Sequence, residues 1–222
     1  MSADPRDDAR SVVLDRIRSG LGREGDPAPA AVAVPRDYRV EGERPHEEVL
    51  DLLVDRLEDY DATVHRVAAG EVPATIAELL SGAGRVVTPE SLPREWLSGL
   101  DGTSVELLAD SAGQPLDVET LDGVDAVVTA STVAIADTGT IVLADERSGR
   151  RAVTLVPDHH VVVVDSADVV ELVPEAIRRL VELGADTAPT TMVSGPSATV
   201  DIEMIRVHGV HGPRRLDVVL AV

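Results

Sequence analysis

The sequence of 222 residues contains no cysteine and no lysine, and each absence excludes a kind of chemistry. Without a thiolate the chain cannot ligate an ordinary iron–sulfur cluster, use a cysteine nucleophile or form a disulfide. Without a lysine it cannot form the Schiff base of pyridoxal enzymes or provide the lysine of a P-loop. Electron transfer through bound clusters therefore cannot reside in this chain, and we predict no cofactor.

Aromatic residues are also scarce, at 1 % of the chain, and phenylalanine is absent. Hydrophobic residues nevertheless make up 44 %, so the core must consist of Val, Leu, Ile and Ala. Valine and isoleucine fit pleated surfaces, and runs such as 161–164 are typical of strands that are buried on both faces. A chain of this length can bury one sizeable core. We therefore predict one large domain built around a parallel or mixed sheet.

Basic residues are outnumbered, with 40 acidic against 20 basic side chains and a formal net charge of −20. Such a chain repels phosphate backbones and anionic lipid at long range, so we expect neither nucleic acid nor membrane as a partner. Solubility is the simplest interpretation of the charge. The polar start lacks the apolar stretch of a signal peptide, and no run approaches the ~20 apolar residues of a membrane span. We expect a cytoplasmic protein.

The distribution of apolar residues predicts two regions. Residues 1–45 read as an N-terminal helix and a linker, and residues 46–222 as the main domain. From residue 62 short apolar runs alternate with helical segments, as in parallel βαβ units. The predicted elements include a strand over 152–156 and a helix over about 167–183. Between 124 and 164 the strands follow too closely for helical crossovers, so we expect hairpins within a Rossmann-like open α/β sheet.

One segment of possible chemical interest is the turn Asp137-Thr138-Gly139-Thr140 between two apolar stretches. Glycine permits positive φ there, and Asp and Thr can satisfy exposed backbone donors. A purely structural hairpin turn accounts for the pattern. The alternative is that these small residues let a ligand approach the backbone.

A second segment contains Gly195-Pro196-Ser197 after a predicted strand and before a helix-like stretch. We expect it at the carboxyl edge of the sheet, where open α/β sheets bind ligands, with a helix N-terminus that attracts an anion. Asp201 and Glu203 follow as candidate acid and base. The alternative is that Ser197 only caps a short helix.

A third segment, residues 207–215, is dense in glycine, histidine and arginine. Histidine suits proton transfer near neutral pH and arginine suits bidentate binding of carboxylate or phosphate, so His211 is a candidate proton carrier and Arg214 a candidate anion clamp. A surface loop is the alternative. His159 and His160 precede an apolar strand and should point to opposite faces. We predict no metal site, because the histidine and acid spacing fits no compact zinc pattern.

Four segments in series, IADTGTIVL, VPDHHVVVV, GPSATVDIE and VHGVHGPRRLDVVLAV, resemble the LUD-domain family of lactate utilisation C proteins. They span about residues 124 to 222. The residues that match the family's motifs are Thr138, Gly139, Thr140, His160, Gly195, Pro196, Ser197, Asp201, Glu203, Gly209, His211, Gly212, Pro213 and Arg214. Where the family often has two prolines before the His160 strand, this chain has Pro157-Asp158.

The resemblance implies an open sheet like that of sugar-phosphate isomerases and coenzyme A transferases (the NagB/RpiA/CoA transferase-like type), with an N-terminal helical extension. It also implies a role in oxidation of L-lactate to pyruvate beside partner subunits that carry iron–sulfur clusters. The leading hypothesis is a non-redox component that binds a small carboxylate or phosphorylated ligand. The alternatives are an isomerase, acyl transferase or cyclo-ligase acting on a phosphate or coenzyme A ester, with Glu203 or Asp201 as its carboxylate, and a scaffold without a small-molecule site. Whether the chain is an enzyme stays open.

Overall fold

The structure is a computed structural model that describes residues 5–22, 34–35, 37–200 and 206–222. The chain divides into two compact units, residues 1–38 and residues 39–222. The first unit contains helix α1 (Pro5–Gly20), on which Val13 and Ile17 are exposed. None of the helices in the described ranges is long and apolar enough to cross a membrane.

The second unit contains the α/β domain. Its elements in chain order are α2 (His46–Asp59), β1 (Thr63–Val67), α3 (Val72–Leu79), β2 (Arg85–Pro89), β3 (Glu106–Asp110), α4 (Val118–Asp122), β4 (Ala126–Ala130), β5 (Val133–Ile135), β6 (Thr140–Leu143), α5 (Arg151–Leu155), β7 (His159–Asp165), β8 (Val169–Val170), α6 (Val173–Glu182), β9 (Thr191–Val193), β10 (Ala198–Val200), β11 (Arg206–His208) and β12 (Arg215–Ala221). Short 3-10 helices cover Ala69–Glu71, Arg94–Leu100, Glu146–Ser148 and Ser166–Asp168.

Six parallel strands form the central sheet, in the order β1-β12-β7-β4-β2-β3. The valine run of β7 is buried on both faces of this sheet, because successive side chains of a strand point to opposite sides. Val162 and Val164 belong to the core formed with α2, whereas Val161 and Val163 belong to the core formed with α3. The predicted open α/β sheet is therefore confirmed.

A second sheet of four strands has the order β8-β5-β6-β9. Strands β5 and β6 form an antiparallel hairpin between 124 and 164 as expected, but it lies in this second sheet and not within the parallel sheet. Strand β9 pairs antiparallel with β6. Ala176 and Leu180 of α6 pack against Val133 and Val142 of this sheet. Strands β10 and β11 form a separate antiparallel pair.

Three predicted elements differ from the structure. The segment 152–156 lies mostly in the helix α5, because β4 and β7 are parallel neighbours and the chain must cross back between them. The helix predicted from 167 begins only at Val173, since a 3-10 helix and β8 precede it. The stretch after Ser197 is the strand β10 and not a helix.

Candidate functional site

A cavity of about 250 Å³ lies beside the amino ends of two central strands, β7 and β12. Its walls come from α5, from the first residues of β7 and β12, from β9 and from the two loops that were singled out by their sequence. The lining residues are Arg151, Thr154, Leu155, His160, Thr191, Met192, Val193, Ser194, Gly195, Pro196, Ser197, His211, Gly212, Pro213 and Leu216.

Several predicted site residues meet at this cavity. The ones on its lining are His160, Gly195, Pro196, Ser197, His211 and Gly212. The structure does not place Thr138, Gly139, Thr140 or Arg214 there. Asp201 and Glu203 lie outside the described residues. Three of the four motif segments thus converge on one concave surface, although His160 and Gly212 are 52 positions apart in the chain.

The position of the cavity corrects one expectation. Gly195-Pro196-Ser197 was expected at the carboxyl edge of the sheet, but the cavity contacts His160 and Leu216, the second residues of β7 and β12. These two residues are paired in the sheet. The expectation was wrong because β9, the strand before this segment, belongs to the second sheet. The end of β9 therefore does not mark the carboxyl edge of the parallel sheet.

Ser197 joins the two motif loops through three hydrogen bonds. Its backbone N–H donates to the carbonyl of Pro213 at 2.7 Å, and its own carbonyl accepts from the N–H of Gly209 at 2.7 Å. Its hydroxyl accepts from the backbone N–H of His211 at 2.8 Å. Ser197 is therefore a cross-link between loops and not a helix cap. The helix N-terminus that was predicted here as an anion site is not found among the described residues, because β10 follows Ser197 directly.

The turn at Thr138, Gly139 and Thr140 packs on α2. Gly139 has φ of +58°, and a Cβ built there would lie 2.7 Å from the Cβ of Arg56. The Thr138 hydroxyl donates to the Thr140 hydroxyl at 2.8 Å, and the latter lies 2.9 Å from the Ser194 hydroxyl. The turn thus supports the cavity wall from behind, through Ser194, and its close approach is to a helix.

His160 is the most deeply buried polar side chain on the cavity lining, with 1 % of its surface exposed. Its Nε2 lies 2.8 Å from the hydroxyl of Thr129. Burial, with a smaller contribution from the neighbouring His159, lowers the pKa of His160 to about 3. The imidazole is therefore neutral at physiological pH. No described residue hydrogen-bonds its Nδ1.

Arg214, the predicted anion clamp, already has a partner. Its guanidinium donates two hydrogen bonds of 2.6 Å to the carboxylate of Asp158, and both side chains are exposed. Asp158 is the residue at which the resemblance to the family implies a second proline. The departure from the family pattern therefore supplies the carboxylate that occupies Arg214.

Arg151, which was not among the predicted site residues, is the arginine on the cavity lining. No acidic side chain in the described part of the chain pairs with its guanidinium. The preceding Arg150 instead donates to Asp110, with contacts of 2.8 to 3.1 Å. Both arginines lie in the connection between β6 and β7. Only the fold shows that Arg150 is paired with Asp110 and that Arg151 is left to contact a ligand.

The described lining residues include no aspartate and no glutamate, although the chain has 40 of them. The lining therefore carries no negative side chain, whereas the chain as a whole has a formal net charge of −20. One guanidinium, the two imidazoles of His160 and His211, several hydroxyls and backbone groups remain to contact a ligand. Such a surface suits a small anion.

His159 points to the opposite face of β7 from His160, as predicted. Its Nε2 lies 2.7 Å from the buried carboxylate of Asp217, which also contacts His65 at 2.8 Å and Arg215 at 2.7 Å. Burial alone would raise the pKa of Asp217, but these hydrogen bonds outweigh it and lower the pKa to about 2. Within the described ranges, no group of three or more histidines and acids is arranged to hold a metal ion.

Comparison with known proteins assigns the family. Residues 50–221 match the model of the LUD domain. The chain belongs to the LUD-domain family. It is 43 % identical over 175 residues to a Deinococcus radiodurans protein named Lactate utilization protein C, covering 78 % of this chain and 79 % of that relative. A Shouchella clausii protein with the same name is 29 % identical over 221 residues, covering 92 % and 93 % of the two chains.

A solved structure supports the fold of this LUD-domain protein. The crystal structure of a DUF162 family protein from Deinococcus radiodurans is similar with a TM-score of 0.67 and 35 % sequence identity. The match covers 81 % of this chain and all of that chain. The resemblance of the four sequence segments to this family is therefore confirmed.

Proposed function

We propose that this chain is a component of a bacterial L-lactate utilisation system and binds a small carboxylate or phosphorylated ligand in the cavity at the amino ends of β7 and β12. The observation that carries the proposal is the convergence of three of the four motif segments on that cavity. The names of the relatives support the lactate role. The residues expected to contact the ligand are His160, Ser197, His211 and Arg151.

The chain acts in this proposal without redox chemistry of its own. It has no cysteine to hold an iron–sulfur cluster, so in this proposal the electrons released when lactate becomes pyruvate pass to other proteins. We therefore propose iron–sulfur subunits as partners. We also propose the cytoplasm as the location of the protein.

An enzyme acting on a coenzyme A or phosphate ester has less support. The cavity is smaller than the roughly 300–1,000 Å³ of pockets that enclose drug-sized ligands. Such chemistry would also need a carboxylate beside the ligand, and the described lining has none. If the chain is instead a scaffold without a small-molecule site, filling the cavity should not impair its function.

Growth on L-lactate tests the proposal. We would delete the Lactate utilization protein C of Deinococcus radiodurans and express this chain in its place. Wild-type protein should restore growth on lactate, whereas Thr191→Trp should not, because Thr191 lines the cavity and an indole would fill it. Thr187→Trp places the same side chain on an exposed residue outside the cavity and is the control.

Melting temperatures and immunoblots would establish that both variants fold and accumulate. Growth with Thr191→Trp equal to wild type would refute the ligand-binding part of the proposal and favour a scaffold. Failure of the wild-type chain to restore growth would contradict the lactate role.

A further inference from the structure

We propose that the cavity is selective for monocarboxylates that carry an oxygen on carbon 2, with Arg151 holding the carboxylate and neutral His160 hydrogen-bonding the 2-oxygen. L-Lactate and pyruvate both belong to this class. The inference rests on the proposed function, because it names the ligand class of the same cavity.

The charge of the lining indicates a monoanion. Arg151 brings one permanent positive charge without a carboxylate partner in the described chain, and a guanidinium matches a carboxylate in a bidentate pair. His160 adds no charge, because burial holds it neutral. A phosphate dianion would bring a second negative charge, and beyond Arg151 and the buried His160 the described lining offers only the imidazole of His211 to meet it.

The Thr129–His160 pair can serve two kinds of 2-oxygen. A neutral imidazole carries its hydrogen on one ring nitrogen, and a threonine hydroxyl can either donate or accept. When Thr129 donates to Nε2, Nδ1 carries the hydrogen and can donate to the 2-oxo group of pyruvate. When Nε2 donates to Thr129, Nδ1 can accept from the 2-hydroxyl of lactate. One site therefore suits the substrate and the product of lactate oxidation.

The size of the cavity agrees with a ligand of few atoms. An apolar cavity of about 150 Å³ is enough to bind benzene, and this cavity measures about 250 Å³. Lactate, which has as many heavy atoms as benzene, fits with room for a few water molecules. An enclosed nucleotide or coenzyme A ester does not.

Isothermal titration calorimetry of the full chain tests the selectivity. The probes are L-lactate, pyruvate, propionate, inorganic phosphate and acetyl-coenzyme A. We expect lactate and pyruvate to bind, and propionate, which lacks the 2-oxygen, to bind about 2- to 10-fold more weakly through loss of one neutral hydrogen bond. Phosphate and acetyl-coenzyme A should not compete with lactate. Equal binding of propionate, or competition by phosphate or acetyl-coenzyme A, would overturn the ligand class.

Three arginine variants test the role of Arg151. Arg151→Gln should weaken lactate binding about 10- to 100-fold, as expected when a hydrogen-bonded charge pair is lost. Arg94→Gln is the matched control, since Arg94 is exposed, begins a short helix and has no ion pair among the described residues. Arg214→Gln tests the residue that the sequence predicted as the anion clamp against Arg151, the clamp proposed here. A large loss in Arg214→Gln with none in Arg151→Gln would refute the assignment.

The outcomes separate this inference from the proposed function. If Thr191→Trp abolishes growth on lactate while Arg151→Gln leaves lactate affinity intact, the function stands and the inference falls. If neither lactate nor pyruvate binds at millimolar concentration, the inference also falls. If Thr191→Trp grows like wild type, the ligand-binding function itself falls.

Discussion

Two buried serines near the carboxyl end of β4 should respond in opposite ways to the same substitution. The side chain of Ser131 is buried, and within the described chain its Oγ has no hydrogen-bond partner. Ser148 is fully buried, and its Oγ donates to the carbonyl of Ala130 at 2.9 Å. Removal of each hydroxyl therefore compares an unsatisfied group with a satisfied one at nearly equal burial.

The magnitudes follow from the cost of burying a hydroxyl. An unpaired one costs about 1–3 kcal/mol in proteins, and its removal also loses a little packing. We expect Ser131→Ala to raise the free energy of unfolding by about 1 kcal/mol. Ser148→Ala should lower it by about 1–2 kcal/mol, because it breaks a hydrogen bond and leaves a buried carbonyl with one partner fewer. For a domain of this size 1 kcal/mol corresponds to about 2–4 °C in melting temperature.

The assay is urea denaturation of wild type and both variants at pH 7.5, with calorimetric melting temperatures as a second measure. Equal m-values would establish that the variants change stability and not the surface exposed on unfolding. Destabilisation by Ser131→Ala as large as that by Ser148→Ala would contradict an unsatisfied hydroxyl at Ser131. That result would mean that the Ser131 hydroxyl is hydrogen-bonded in solution.

Two further predictions concern a turn and an acid. Gly139→Ala should lower the free energy of unfolding by about 2–4 kcal/mol, because the alanine would need a positive φ and its Cβ would lie 2.7 Å from the Cβ of Arg56. Gly70→Ala is the control and should change stability little, because a Cβ there meets open space. Similar melting temperatures for the two variants would contradict this prediction. Asp217 has a pKa of about 2 in the folded protein, below the value of ~3.9 expected in the unfolded chain. Its ionised form therefore stabilises the folded protein by about 2 kcal/mol above pH 4, and this contribution is lost as the pH falls toward 2. The stability difference between wild type and Asp217→Asn should shrink over that range in urea titrations, and a difference that stays constant down to pH 3 would exclude the ion network as its cause.

The sequence predicted the sheet well because burial leaves a local signature. Four consecutive valines at 161–164 strongly favour a strand buried on both faces, and two adjacent histidines on such a strand must point to opposite sides. The motif loops were also found, since glycine, proline and histidine are dense there. Their location was not, because pairing of β9 with β6 is a long-range event that β9 itself does not encode.

The arginines illustrate the same limit at the level of a side chain. Arg150, Arg151 and Arg214 are equivalent as residues, and each could clamp an anion. Asp110 and Asp158 occupy two of them, and neither pairing is visible without the fold. The segment 152–156 also has strand-like composition, which concealed the helix that presents Arg151.

The placement of β12 has a consequence for biosynthesis. This strand lies between β1 and β7, and β1 has no other partner among the described strands. While the polypeptide emerges from the ribosome at about 5–20 residues per second, β1 must remain unpaired until residues 215–221 have been made. Strand β1 therefore stays unpaired while residues 68–214 are made, and β7 keeps one open edge while residues 166–214 are made. Such edges invite aggregation. The acidic charge of the chain can keep neighbouring nascent chains apart during that interval.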